Sequence, residues 1–201
     1  MEFYTTFEEV CELHEKAGIF CDQVMEFLNL KMSFPEPPWG LNEMEQLIPQ
    51  LMKIYMLAMG LPDLEYMEDM KYEEDDSIPH RPISFVDEYE YYWTVFDPYC
   101  KYAETDEEPK KEIEPCKGML TDDLADISTE LSQGVEAYRA GLVCEAIFQW
   151  RFGLLSHYGN HITSALRAMT SAWEYETQHR DREMRDYWNP DEDSIIVGDK
   201  Q

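Results

Sequence analysis

The sequence has few basic residues and no long apolar run. Only 16 Lys and Arg residues stand against 43 Asp and Glu residues, which gives a formal charge of -27 at pH 7. Such a charge repels phosphate backbones and anionic lipids, so we exclude nucleic-acid binding and membrane-surface binding as main functions. No stretch approaches the roughly 20 apolar residues that a membrane-spanning helix needs. We therefore expect a protein as the partner. A basic partner would be attracted by the negative charge of this chain.

Cysteine and targeting signals are also sparse. The segment Met1 to Thr6 has neither basic residues nor an apolar run, so we expect no secretory or transit peptide and a cytoplasmic location. No CxxC pair occurs, which favours reduced thiols over disulfides or a zinc knuckle. The five cysteines are Cys11, Cys21, Cys100, Cys116 and Cys144.

Helical periodicity dominates the rest of the chain and predicts a single all-α domain of about five helices. Thr6 and Glu9 form a capping box for the first helix, whose predicted apolar face ends before Pro35. Asn42 is the predicted cap of a second helix that reaches Met59, with Pro49 either kinking it or starting its main part. That first face consists of Phe7, Val10, His14, Ala17, Cys21, Val24 and Leu28.

The aromatic segment from Phe85 to Phe96 predicts a short third helix, which Pro98 ends. Thr121 is the predicted cap of a fourth helix that ends near Gly141. A fifth helix then runs to Trp173, antiparallel to the fourth because the connection is short. Between these elements we expect acidic loops near 63–83 and 103–118, and a charged tail near 180–201.

The fifth helix carries the most informative pattern, since an arginine and two histidines accompany its apolar face. Arg151 lies near the middle of that face, and His157 and His161 follow one edge. A guanidinium there needs a partner. We prefer a buried ion pair with a neighbouring helix over an anion clamp. The apolar positions are Ile147, Trp150, Leu154, Tyr158, Ile162, Ala165 and Met169.

Histidines four residues apart share one helical face and can bind a transition metal. His14, which the pattern directs inward, would add a third ligand beside His157 and His161. The Glu-x-x-His pattern of di-iron bundles and the HExxH pattern of zinc proteases are both absent. We therefore expect structural histidines, no metal and no cofactor; if a metal were bound, those three histidines would be its ligands.

Three acidic residues recur at intervals of four on the fourth helix. Asp122, Asp126 and Glu130 could act as acid and base or hold a metal. They lie opposite the apolar face of this helix, so we expect a solvated face unless another layer covers it. We call that apolar face the leucine stripe; it consists of Leu120, Leu124, Ile127, Leu131, Val135 and Tyr138.

Several segments together resemble a bacterial family of helical proteins, domain of unknown function 5063. They are Tyr91-Tyr-Trp-Thr-Val-Phe-Asp-Pro-Tyr99, Asp123-Leu-Ala-Asp-Ile127, Glu145-Ala-Ile-Phe-Gln-Trp-Arg-Phe152, His157-Tyr-Gly-Asn-His161 and Ala165-Leu-Arg-Ala168. The resemblance runs from about Leu41 to Trp173 and implies a bacterial cytosolic bundle without an established activity. It also implies one constellation, which gives the candidate polar pocket: Asp126, Trp150, Arg151, His157, Gly159, His161 and Arg167.

Two functions follow from these patterns. The first is a non-catalytic regulatory domain that binds a protein partner through its acidic surface or polar pocket. The alternative is a small-ligand or metal-binding protein, or a hydrolase-like enzyme, that uses the face of Arg151, His157 and His161. No nucleophile elbow, phosphate loop or dinucleotide glycine pattern occurs, so the sequence favours the non-catalytic function.

Overall fold

The computed structural model describes residues 7–64, 77–78, 81–94 and 116–188. These residues form a helical bundle with one small antiparallel sheet, which confirms the predicted all-α fold. Helix α4 packs against α5 and α6, and α2 packs against α1 and α6. In chain order the elements are α1 (Phe7–Ser33), α2 (Leu41–Met59), α3 (Asp87–Glu90), β1 (Tyr91–Thr94), β2 (Cys116–Met119), α4 (Leu120–Arg139), α5 (Val143–Ser156) and α6 (Tyr158–Trp188).

The core is one cluster to which α1, α2, α4, α5 and α6 all contribute, and α4 faces the arc that α5 and α6 share within it. Trp150 is at its centre, fully buried, and its indole N–H donates to the carbonyl of Leu131 at 3.0 Å. The indole lies against Gly134, where a Cβ would come within 2.0 Å of the ring nitrogen. All seven apolar positions predicted for this arc are buried, and so are Leu124, Ile127, Leu131 and Val135 on α4.

The first half of α1 turns a different face inward than the sequence predicted. Phe7 is 83% exposed and Val10 is 39% exposed, whereas Leu13 and Phe20 are buried. His14 is exposed as well, which corrects the expectation that it faces inward. Apolar residues occupy both candidate faces there, so periodicity alone did not decide between them.

Tyr91–Thr94 is a strand, and the predicted third helix is limited to the four residues of α3. The strand pairs with β2 in antiparallel register, with Tyr92 opposite Gly118. Trp93 is 71% exposed and its neighbour Tyr92 packs against the core, which is the alternation of a strand. Aromatic residues favour strands when a partner strand is present, and that partner lies far along the chain.

Two helix starts differ from the predicted caps. Helix α2 begins at Leu41, where the N–H of Gly40 donates to the Glu43 carboxylate at 2.8 Å. Pro49 lies inside this helix. Helix α4 begins at Leu120, and the hydroxyl of Thr121 donates to the Glu90 carboxylate at 2.7 Å, so it does not cap the helix.

The predicted fifth helix is two helices, because the chain breaks at His157. Helix α6 also continues past Trp173 to Trp188. Most of the predicted loops near 63–83 and 103–118, and the tail beyond residue 188, lie outside the described residues. Among the described helices, none combines the length and apolar character needed to cross a membrane.

Candidate metal centre

One face of α4 carries three carboxylates on successive turns. Asp123, Asp126 and Glu130 follow spacings of three and four residues, so they share that face. Helix α6 packs against α4 and covers part of it, which leaves 7% of the Asp123 side chain and 24% of the Glu130 side chain exposed. Helix α6 is therefore the layer that covers part of this acidic face, which the sequence alone could not reveal.

The helix break delivers two histidines to this face. His157 lies between α5 and α6 with φ -147° and ψ -77°, and its N–H donates to the Gly153 carbonyl at 2.9 Å. Gly159 permits the tight turn, since a Cβ there would lie 2.1 Å from the Leu154 carbonyl oxygen. The Tyr158 hydroxyl donates to the Trp150 carbonyl at 2.6 Å and fixes the start of α6.

Each histidine presents its Nδ1 to a carboxylate of α4. His161 Nδ1 lies 2.7 Å from Asp123 Oδ1, and His157 Nδ1 contacts Glu130 Oε1. Asp126 joins them through its Oδ2 atom, which is 3.5 Å from His161 Nε2. We call these five residues the His–carboxylate cluster.

The two remaining ring nitrogens of the cluster lie close together. His157 Nε2 and His161 Nε2 are 3.2 Å apart, and the ring centroids are 4.6 Å apart. An ionised carboxylate only accepts hydrogen bonds, so each Nδ1 carries a proton. In two neutral rings both Nε2 atoms are then acceptors, and two acceptors repel each other at this distance. Either a proton or a cation shared between them removes that repulsion.

The donor set fits a metal ion. Single ligand atoms of Asp126, His157 and His161 all lie within 4.8 Å of one another. Two imidazoles on a tetrahedral zinc, with Zn–N of about 2.0–2.1 Å, place their nitrogens about 3.3 Å apart. Carboxylates on the far Nδ1 atoms are the usual outer-shell partners of metal-bound histidine. Asp123 and Glu130 supply them here.

Electrostatics at the cluster favour positive charge. The hydrogen bond with Asp123 raises the pKa of His161, although burial acts in the opposite direction. The Tyr92 hydroxyl donates to the other oxygen of Asp123, and burial together with that bond raises the pKa of Tyr92. Asp123 is thus held between a ring N–H and a hydroxyl, which fixes its orientation.

A cavity of about 440 Å³ opens beside the cluster. Asp126, Glu130 and His157 line it, and so do Phe148 and Phe152, whose rings stack with centroids 5.4 Å apart. The cluster is reachable from solvent, since 52% of the His157 side chain is exposed. A small molecule in this cavity would contact the cluster directly.

The structure separates the predicted pocket residues into two groups. Asp126, His157 and His161 come together, whereas Trp150 is a core residue. Arg167 is exposed, and its Nη2 donates to the Trp93 carbonyl at 3.4 Å. His14 is not part of the cluster. Asp126 supplies the third potential ligand atom, for which the sequence analysis had suggested His14.

Within the described part of the chain, Arg151 does not form the ion pair that the sequence predicted. Its Nη1 lies 3.6 Å from the Met59 sulfur, and its buried Nε has no hydrogen-bond partner. Among the described residues, no carboxylate lies within ion-pair distance of this guanidinium. The nearby positive charge opposes the burial that raises the pKa of Tyr158.

Sequence reasoning missed the roles of Asp123, Glu130 and Tyr92. Asp123 was named only within a segment that carries the family resemblance, and Glu130 was placed on a solvated face. The signal was available for the carboxylates, because Asp123, Asp126 and Glu130 form a 3-4 pattern along one side of the leucine stripe. Nothing in the sequence places Tyr92 against Asp123, because a strand pairing brings them together.

The chain belongs to the family DUF5063, a domain of unknown function, whose family model matches residues 7–173. That match confirms the resemblance and extends it toward the amino terminus. Comparison with curated proteins gives no match, and comparison with solved structures gives none either. The family brings no assigned activity, so the site itself must carry the functional argument.

Proposed function

We propose that this protein binds a divalent transition metal ion, zinc in the first place, through Asp126, His157 and His161. One observation carries the proposal: two Nε2 atoms lie only 3.2 Å apart while each Nδ1 is held by a carboxylate. A shared cation turns this repulsive arrangement into a favourable one. This proposal replaces the sequence-based expectation that the histidines are purely structural.

The number of ligands indicates what the metal would do. Three protein ligands and one open position are typical of catalytic zinc sites, whereas structural sites have four protein ligands. The open position would face the cavity of about 440 Å³ beside Asp126 and His157. Zinc bound in this way lowers the pKa of a water ligand to about 7, which supports metal-assisted hydrolysis as the reaction class.

Metal content of the untagged protein, purified without chelator and then titrated with zinc, tests the proposal. We expect about one equivalent, which His157→Ala combined with His161→Ala abolishes, and which Asp126→Asn weakens at least tenfold. His14→Ala is the matched control, because this histidine is exposed on α1. Equal zinc binding by the wild type and the double variant would overturn the proposal. So would a wild type that takes up no zinc, iron or manganese.

A second function, recognition of a basic protein partner, is supported by an exposed methionine stripe on α2. Met52, Met56 and Met59 are 52%, 73% and 49% exposed and follow helical spacing. Flexible methionine side chains suit grooves that accept amphipathic helices. The charge of -27 favours a basic helix as the occupant.

A synthetic amphipathic helix of Leu and Lys residues probes this stripe. We expect the combined change of Met52, Met56 and Met59 to Gln to weaken binding at least tenfold, because apolar contact is lost and the charge is unchanged. Met32→Gln is the control, since Met32 is 44% exposed on another helix. Identical affinities for all variants would show that the peptide binds by charge alone and would exclude the stripe.

A further inference from the structure

A second cavity, separate from the metal centre, contains the most deeply buried cation in the described part of the chain. Its volume is about 280 Å³, and it lies where the end of α1 meets α4. Lys31 and Arg81 contribute two positive charges to its lining. The other lining residues are Pro82, Ile83, Thr121, Ala125, Ser128 and Thr129, so no carboxylate is among them.

Lys31 is buried without a counter-ion. Only 3% of the residue is exposed, and its Nζ contacts the Ser128 hydroxyl and lies 5.2 Å from the centre of the Phe27 ring. No carboxylate of the described residues lies within ion-pair distance. Burial lowers the pKa of Lys31 to about 8, without any opposing effect from a nearby acid. An ammonium group in this position costs free energy unless an anion joins it.

Arg81 adds positive charge but is already engaged. Its Nη1 donates to carbonyls at the end of α1, including that of Phe34, and its Nη2 lies 3.2 Å from the Glu36 carboxylate. Glu36 is 94% exposed, so this ion pair is well hydrated and weak. Lys31 is therefore the main donor that remains available to an anion.

The hydroxyl groups limit which anion fits. Ser128 donates to the Leu124 carbonyl, Thr129 to the Ala125 carbonyl, and Thr121 to the Glu90 carboxylate. A phosphate needs several donors, and these three are occupied. The Glu90 carboxylate behind Thr121 also disfavours a second negative charge. Pro82, Ile83 and Ala125 offer an apolar wall for a short hydrocarbon chain.

We infer that this cavity binds a small monocarboxylate, whose carboxylate pairs with Lys31 and whose hydrocarbon chain contacts Pro82, Ile83 and Ala125. The inference does not depend on the metal centre, because the two sites use different faces of α4. Thr129 lines both cavities and is the only such residue among those described.

Amide NMR titration of the full-length protein with acetate, butyrate and inorganic phosphate tests the inference. We expect butyrate to give saturable shifts at Lys31 and Ser128, with a dissociation constant on the order of 1 mM. Acetate should bind more weakly, by roughly fourfold for each CH₂ removed. Saturation by phosphate at lower concentration than butyrate would overturn the assignment to a monocarboxylate, and absence of saturation by butyrate would overturn the site.

Two variants check that the shifts report this cavity. Lys31→Met removes the cation, retains the apolar stem and should weaken butyrate binding at least tenfold. Ala125→Phe fills the exposed rim, leaves Lys31 in place and should weaken it similarly. Lys53→Met is the matched control, because the Lys53 side chain is 58% exposed and lies on α2. Unchanged butyrate affinity in both cavity variants would place the anion elsewhere.

Discussion

The two faces of α4 differ in what they contact: one packs in the core, and the other carries the proposed metal site. Its apolar face meets Trp150 through Gly134, and the contact depends on shape. Its acidic face contacts His157 and His161 through hydrogen bonds to carboxylates. These contacts depend on the proton that each Nδ1 carries. Burial of the apolar face contributes most to stability, whereas the acidic face is partly exposed to solvent. Stability and function are therefore separable on this helix.

The largest effect should come from the apolar face. Trp150→Ala removes a fully buried ring and should lower the free energy of unfolding by about 3–5 kcal/mol, because the cavity that is left cannot close. Chemical denaturation measures the change. Trp93→Ala is the control, since that ring is 71% exposed, and it should cost less than about 1 kcal/mol. Equal losses for both would contradict the central place of Trp150.

Gly134→Ala tests the same face from the other helix. An added Cβ would lie 2.0 Å from the Trp150 ring nitrogen, so the helices must separate, at a cost of about 1–3 kcal/mol. In the Trp150→Ala background this clash is gone, and the higher helix propensity of alanine should stabilise the protein by up to about 1 kcal/mol. A double-mutant cycle by urea denaturation gives the coupling. No coupling would mean that the two groups do not touch.

The acidic face should respond in ion affinity more than in stability. Glu130→Ala leaves His157 Nδ1 without its carboxylate and should weaken zinc binding about 10–100-fold. Competition with a chromophoric chelator measures the affinity. Asp122→Ala is the control, because Asp122 is an exposed carboxylate of the same helix outside the cluster. Equal weakening of zinc binding by both changes would mean that the effect comes from the net negative charge of the protein and not from the contact between Glu130 and His157.

The smallest effect on stability should come from Asp126→Asn. Without metal, we expect the free energy of unfolding to change by less than about 0.5 kcal/mol, because 48% of the Asp126 side chain is exposed. Zinc at 100 times its dissociation constant should stabilise the wild type by about 2.7 kcal/mol and the variant by much less. Thermal unfolding with and without zinc measures the difference. Equal stabilisation of both would remove Asp126 from the ligand set.

Much of the bundle could be predicted because apolar periodicity is a local signal. The stripes of α4 and of the α5–α6 arc are correct, and the arc remains continuous although the chain breaks at His157. The strand at Tyr91–Thr94 was predicted as helix, since its pairing partner lies beyond a long connection. The start of the α1 face was misplaced at Phe7, Val10 and His14 because apolar residues occur on both sides of the helix there, whereas Ala17, Cys21, Val24 and Leu28 are buried as predicted.

The candidate site was half predictable for the same reason. His157 and His161 were identified from their spacing, and Asp126 both from its four-residue spacing with Asp122 and Glu130 and from the resemblance. Their association depends on α6 crossing α4, which no local pattern encodes. Arg151 was expected to need a carboxylate, but the fold places its Nη1 beside the Met59 sulfur. Local spacing defined candidates, and helix packing selected among them.

By itself, the sequence determined an acidic helical domain, the buried face of α4 and the two neighbouring histidines. These follow from composition and from periodicities of three and four residues, which act within a single helix. The contacts between helices place Asp123 and Glu130 against the histidine rings, bring Asp126 rather than His14 next to them, and bury Lys31 with no carboxylate of the described residues within ion-pair distance. The reason is physical: hydrogen bonds and burial depend on which helices meet, and residues distant in sequence make those contacts.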